Sequence, residues 1–280
     1  MTIPSLAASV ADLRRALAPL RGQEKIALVP TMGALHDGHL ALVRAAKTRT
    51  PNVVVSIFVN PTQFAPNEDF HSYPRDLRAD GEKLAAANAT WIFAPSPSEM
   101  YPDGFATTVS VKGPAVGLES DFRPHFFDGV STIVAKLLIA AEPDFAMFGE
   151  KDYQQLLVVR KLVRDLGLPV EIIAVPISRE EDGLAMSSRN AYLSPAERKV
   201  AGRLNQVLKD MIARLKAGAG VADAQNFGAM ALKDAGFDSV DYVALRDAET
   251  LVPISMLDRP ARLLAAARIG RTRLIDNFPV

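Results

Sequence analysis

Short apolar runs, each separated from the next by a helical pattern, restrict this chain to an open α/β architecture. They fall at 25–30, 52–59, 90–94, 144–148 and 170–177. The run Asn52–Val59 reads Asn-Val-Val-Val-Ser-Ile-Phe-Val. It shows no polar alternation, which predicts a parallel strand buried on both faces. Helical patterns lie at about 4–20, 38–49, 74–88, 130–141 and 152–166. Strands spaced by helices predict βαβ units and a mostly parallel sheet with helices on both faces. A smaller hairpin-like piece is predicted at 106–112.

The pattern changes after about residue 178. Ser194-Pro195-Ala196-Glu197 reads as a helix start, with Ser as cap, Pro at the first position and Glu at the third. A helix is expected from there to about 216, and a second at 221–235 after Gly218 and Gly220. Strands follow at 239–245, 261–268 and 271–275. This predicts a larger domain over 1–178 and a smaller C-terminal α+β domain over 184–280. The charged, Gly-containing joint Ser178-Arg179-Glu180-Glu181-Asp182-Gly183 has the composition of a hinge. Closure of the smaller domain as a lid would exclude water from a reactive intermediate.

Charge narrows the function. The chain carries 32 basic and 32 acidic residues, so it lacks the basic footprint of a nucleic-acid binder. No apolar run approaches the roughly 18–20 residues that a membrane span needs. The N-terminal leucines Leu6, Leu13, Leu17 and Leu20, interrupted by Asp12, Arg14 and Arg15, fit an amphipathic helix rather than a secretory signal. There is no cysteine, which fits a reducing cytoplasm and removes thiol chemistry. With four histidines and no cysteine, a zinc site, which takes three or four ligands, is not expected. Neither G-x-G-x-x-G nor G-x-x-x-x-G-K-[ST] occurs, so NAD, flavin and Walker-type sites lack their usual signature.

The most informative stretch is Pro30-Thr31-Met32-Gly33-Ala34-Leu35-His36-Asp37-Gly38-His39. It places two histidines where a strand gives way to a helix. In an open α/β sheet that is the ligand crevice, and helix N–H groups there attract phosphate. Imidazoles in that position can donate to charge growing on phosphorus. Phe148-Gly149-Glu150-Lys151-Asp152 ends another strand, with Gln155 one helical turn beyond Lys151. Asn60-Pro61-Thr62-Gln63 ends a third. Met186-Ser187-Ser188-Arg189 joins two hydroxyls to a guanidinium, whose fork suits phosphate. Asp80 is a candidate Mg²⁺ contact, and Arg123 an anion contact. Each of these segments, taken alone, also fits a capped or solvated turn.

Together they strongly resemble the pantothenate synthetase (pantoate–β-alanine ligase) family. The resemblance runs from Val29-Pro30-Thr31-Met32-Gly33 through the His-x-Gly-His segment, Ile57-Phe58-Val59-Asn60-Pro61, Phe148–Asp152 and Met186–Asn190 to Arg273-Leu274-Ile275-Asp276-Asn277. It implies a Rossmann-like α/β domain of the nucleotidylyl-transferase superfamily and a homodimeric assembly. It implies ATP as co-substrate with Mg²⁺, and condensation of pantoate with β-alanine through pantoyl adenylate. By the same resemblance ATP is bordered by Met32, Gly33, Ala34, Leu35, His36, Asp37, Gly38 and His39. Gly149, Glu150, Lys151, Asp152, Ser178, Met186, Ser187, Ser188 and Arg189 complete its contacts. His39, His36, Lys151 and Arg189 are the implied catalytic set, Gln63 and Gln155 hold pantoate, and Gln63 lies near β-alanine. One departure stands out. The family's Arg-Pro-Gly-His-Phe reads Arg123-Pro124-His125-Phe126-Phe127 here, which takes His125 out of register. Two rival readings stay open at this point: a nucleotidyltransferase making a dinucleotide-like product, and a non-catalytic nucleotide binder.

Overall fold

A computed structural model of the chain describes residues 3–64, 70 and 73–280. Contacts divide it into two compact units, Met1–Glu150 with Val158–Pro176, and Lys151–Leu157 with Ile177–Val280. The strands are β1 (Ser5–Ala7), β2 (Ile26–Thr31), β3 (Asn52–Ile57), β4 (Trp91–Phe93), β5 (Phe145–Gly149), β6 (Glu171–Val175), β7 (Ser239–Asp247), β8 (Ala261–Ile269) and β9 (Thr272–Pro279). The helices are α1 (Val10–Leu17), α2 (Asp37–Lys47), α3 (Leu77–Ala86), α4 (Pro97–Met100), α5 (Glu119–Phe122), α6 (Phe126–Ala141), α7 (Tyr153–Asp165), α8 (Pro195–Ala201), α9 (Arg203–Lys216) and α10 (Val221–Asp234). Among the described residues no helix is long and apolar enough to cross a membrane.

The first unit is built on a parallel sheet ordered β1-β4-β3-β2-β5-β6. Alternate strand residues point to opposite faces. Ala27, Val29, Val53, Val55, Ile92 and Met147 pack with Leu35, Leu42, Val43 and Leu84 on one side. Leu28, Val54, Phe93 and Ala146 are equally buried and face the other side, where α6 meets β2 and α1. Burial on both faces is why these strands read as unbroken apolar runs. The order reverses between β2 and β5, so their carboxyl ends flank the topological switch point, the crevice where such sheets bind ligands.

Several boundaries differ from the sequence pattern. The predicted helix 4–20 is a strand followed by a helix, because Ser9 accepts from the Asp12 N–H at 3.1 Å and starts α1 only at Val10. Upstream, Ser5–Ala7 pairs with Trp91–Phe93. Leu6 is 58% exposed, so it does not belong to the apolar stripe that suggested a longer helix. Segment 106–112 forms no strand; the Val109 N–H donates to Thr132 Oγ1 of α6 at 2.9 Å rather than to a neighbouring strand. α6 begins at Phe126, earlier than the expected 130.

In the second unit β7, β8 and β9 form an antiparallel sheet. Ala261, Leu263, Ala265, Ala267 and Ile269 pack with Leu204, Leu208, Met211, Ala224 and Leu232 of α9 and α10. Ser194 and Glu197 close a reciprocal capping box at the start of α8, as their spacing predicts. The single helix expected over 195–216 is divided at Gly202, whose position leaves no room for a β-carbon beside the Asp182 carboxylate. β9 runs to Pro279, past the expected 275. Residues 178–186, which include the hinge expected over 178–183, fold back on themselves. Arg179 bridges Ala185, the Glu180 N–H donates to Leu184 O at 2.9 Å, and the Met186 N–H donates to Ser178 O at 2.9 Å.

Candidate functional site

The first unit presents its two histidines through a demanding turn. Between β2 and α2, Gly33 has φ 83° and Ala34 φ 51°. The left-handed region is readily open to glycine and costs an alanine energy unless its surroundings hold it there. The hold comes from α3. Asp80 Oδ2 accepts the Ala34 N–H at 2.9 Å and Oδ1 the Leu35 N–H at 2.8 Å. Lys83 Nζ donates to Leu35 O at 2.6 Å. Thr31 Oγ1 donates to Ser56 O at 2.7 Å and accepts the Gly33 N–H at 3.3 Å.

On this base His36 caps α2. Its Nδ1 accepts the Gly38 N–H at 3.1 Å, and His39 Nδ1 accepts the His36 N–H at 3.4 Å. A ring nitrogen that accepts carries no proton, so each neutral imidazole bears its proton on Nε2. The ring centroids lie 4.1 Å apart, a separation that suits two neutral rings better than two cations. The capped-helix reading and the phosphate-donor reading are therefore compatible, since they call on different nitrogens of the same rings. Nδ1 of each ring is engaged at the helix start, which puts the ring proton on Nε2.

Asp80, expected as a Mg²⁺ contact, is 2% exposed, and each of its oxygens accepts a main-chain N–H. This donor set fits an anchor of the turn and does not fit a metal ligand. Among the described residues no group of three or more His, Cys, Asp or Glu side chains is placed to hold a metal ion.

Gln63 ends the short 3₁₀ turn Pro61–Gln63 that follows β3. Asn60, 1% exposed, organises that turn. Its Nδ2 donates to Gly129 O at 3.1 Å, and its Oδ1 accepts from Tyr101 Oη at 2.8 Å and from Thr62 Oγ1 at 3.0 Å. Burial pushes the Tyr101 phenol above its ordinary pKa, which keeps the proton it donates. A β-carbon on Gly129 would lie 2.5 Å from Thr62 O, so glycine is what allows α6 to approach. Arg123 Nη2 donates to Gln63 O at 2.8 Å and pairs with Glu119 at 3.6 Å. Arg123 thus supports the main chain of Gln63. His125 is exposed at the start of α6, with no capping bond from its side chain.

The second unit carries Lys151, Asp152, Gln155, Ser178 and the Met186–Arg189 loop. Gln155 lies half-buried in the first turn of α7. In the loop, Ser187 Oγ accepts the Arg189 N–H at 3.3 Å. Asn190 Nδ2 donates to Glu180 Oε1 at 2.7 Å and to Ala185 O at 3.2 Å. Arg198 donates to Glu180 Oε2 at 2.6 Å and to Asp182 Oδ2 at 2.6 Å. The Arg198 hydrogen bond holds the Asp182 carboxyl below the usual carboxylate range. Gly149 and Glu150 stay with β5 in the first unit.

Sequence reading missed the supports: Lys83, Asn60 and Tyr101 in the first unit, Glu180, Asn190 and Arg198 in the second. An Asp or Lys one turn apart on a helix signals nothing about a loop 45 or 48 residues earlier. Asp80→Asn is expected to place an amide N–H against a main-chain N–H and to cost about 1.5–3 kcal/mol, the range for a hydrogen bond to a charged group. Urea unfolding checks this; a midpoint equal to wild type would contradict the anchor.

Comparison with known proteins gives the family. The family model described as pantoate-beta-alanine ligase matches residues 5–279. A pantothenate synthetase of Nitrobacter hamburgensis is 57% identical over 280 residues, covering 99% of this chain and 99% of its own. The crystal structure of pantothenate synthetase from Thermus thermophilus superposes with a TM-score of 0.92 at 50% identity, covering 98% of each chain. A pantoate-beta-alanine ligase from Francisella tularensis, solved with β-γ ATP and β-alanine, gives 0.84 at 34% identity over 98% of this chain and 97% of its own. With the family model matching residues 5–279 and relatives matching along nearly their whole length, the chain belongs to the pantoate-β-alanine ligase family.

Proposed function

We propose that this ligase joins pantoate to β-alanine by way of a pantoyl adenylate made from ATP. Family membership supports the overall amide-forming reaction, and the relative solved with β-γ ATP and β-alanine supports the two co-substrates. The observation that carries the adenylate step is the histidine pair, with both Nδ1 atoms committed to main-chain N–H groups. That arrangement fixes two Nε2–H donors at the strand end where a phosphate binds.

In the first step a pantoate carboxylate oxygen attacks the α-phosphorus and the bond to the β-phosphoryl oxygen breaks, releasing pyrophosphate. Negative charge grows on the phosphoryl oxygens as this happens. We assign its neutralisation to His36, His39, Lys151 and Arg189, since fixed donors act best where charge develops. Met32–His39, Gly149–Asp152, Ser178 and Met186–Ser188 are assigned to ATP. Mg²⁺ would enter with the ATP phosphates and screen the leaving pyrophosphate. No protein ligand is assigned to it.

Gln63 and Gln155 are assigned to pantoate, and Gln63 also to β-alanine. A neutral amide orients a carboxylate without quenching its nucleophilicity, as an Arg pair would. In the second step the β-alanine amine attacks the acyl carbon, the carbon–oxygen bond to AMP breaks, and the amine sheds a proton. That step needs the free amine, so it quickens as pH rises until the amine is deprotonated. The absence of cysteine is compatible with a reducing cytoplasm, and the family resemblance supports a homodimer; a single-chain mass in analytical ultracentrifugation would remove the dimer.

Incubation with ATP, pantoate and β-alanine should give pantothenate and AMP by mass spectrometry, with pyrophosphate exchange that requires pantoate. Exchange without pantoate would favour a different acceptor. His39→Ala and Lys151→Ala are each expected to slow single-turnover adenylation by roughly 10²–10³-fold, the loss on removing one preorganised donor. A change under about threefold would unseat these assignments. Gln63→Glu should weaken pantoate binding far more than ATP binding through like-charge repulsion, as read by isothermal titration with each ligand.

A further inference from the structure

The C-terminal strand carries two adjacent polar residues, Asp276 and Asn277, each 2% exposed, that none of the assignments above uses. Neighbours on a strand point to opposite faces, and each of these reaches a different functional segment of the second unit. Asn277 Nδ2 donates to the main-chain carbonyl of Lys151 at 2.8 Å. Its Oδ1 accepts from Arg262 Nε at 2.6 Å, and the Arg262 guanidinium lies 4.0 Å from the centroid of the Tyr153 ring. Asp276 receives a two-pronged bond from Arg179, at 2.7 and 2.9 Å. The same guanidinium donates to Gly183 O at 2.9 Å and to Asn277 O at 3.3 Å. The Asn277 N–H closes the cluster on Asp276 Oδ1 at 2.7 Å.

One dipeptide therefore ties the start of α7, through the Lys151 carbonyl, to the fold-back over 179–183 that precedes the Met186–Arg189 loop. Its polarity is costly in a strand where Leu274 is buried. Replacing a buried ionic cluster with well-packed apolar side chains is often neutral or stabilising, and in some folds what the cluster provides is a single defined arrangement. Bidentate Arg–carboxylate geometry adds that definition.

We propose that Asn277 and Asp276 are positioning residues for adenylate formation, fixing the Lys151 main chain and the base of the Met186–Arg189 loop in one rigid cluster. The proposal rests on the assignment of Lys151 and Arg189 to the ATP phosphates. Neither Asn277 nor Asp276 touches substrate in this scheme; each acts through the segment it holds.

Asn277→Asp tests it, because the carboxylate still accepts from Arg262 but has no N–H for the Lys151 carbonyl. Asn277→Ala, run in parallel, removes the amide without adding a buried charge. Far-UV circular dichroism selects whichever variant keeps the wild-type fold. Pantoate-dependent pyrophosphate exchange is then measured for wild type, Lys151→Ala, the Asn277 variant and the double variant. The Asn277 variant is expected to lower kcat about 10–100-fold, the penalty for a displaced catalytic group. In the Lys151→Ala background the same change should cost no more than about twofold, since residues acting as one unit do not add. A single-variant loss below about tenfold overturns the proposal, as does a larger loss in the double variant. An impaired Lys151→Ala beside a wild-type-like Asn277 variant sinks the positioning role alone. A wild-type-like Lys151→Ala sinks the assignment of Lys151 itself.

Discussion

Two main-chain N–H groups at the end of β2, those of Ala34 and Leu35, depend on a carboxylate from another helix. Buried donors without partners are costly, and Asp80 supplies both partners at once. Everything downstream rests on that anchor. It holds Ala34 in a left-handed conformation, it lets Leu35 enter the core at 2% exposure, and it delivers His36 to the cap position of α2. The histidines are presented by a turn whose conformation is over-determined, which is the condition for donors that do not reorganise during reaction.

The same logic recurs at the other segments. Gln63 sits on a turn organised by Asn60 and supported from below by Arg123. The Met186–Arg189 loop stands on a fold-back tied by Glu180, Asn190 and Arg198. At the Gln63 turn the residue assigned to substrate lies partly exposed, while Asn60, which organises the turn, is 1% exposed and holds main-chain atoms. Precision at these positions comes from satisfied backbone groups rather than from the functional side chains.

This division explains what was legible in the sequence. Strands β2, β3 and β5 announce themselves because burial on both faces leaves unbroken apolar runs. The histidine pair, Lys151 and the Met-Ser-Ser-Arg loop stand out because their residue types carry chemistry. β1 did not stand out, since three edge residues have no periodicity to show. Asp80 was seen as a carboxylate but assigned to a metal, because its real partners are main-chain N–H groups that no residue letter reveals. The Asn277–Lys151 bond spans 126 positions and leaves no local pattern at all.

The commitment of both Nδ1 atoms at His36 and His39 limits how this turn can change over time. Imidazole offers two nitrogens facing opposite ways. An asparagine oxygen can take the place of Nδ1 and start the helix, and a glutamine amide can reach the place of Nε2. No other side chain serves both at once. A substitution of histidine here therefore gives up either the acceptor that starts the helix or the nitrogen on the opposite side of the ring.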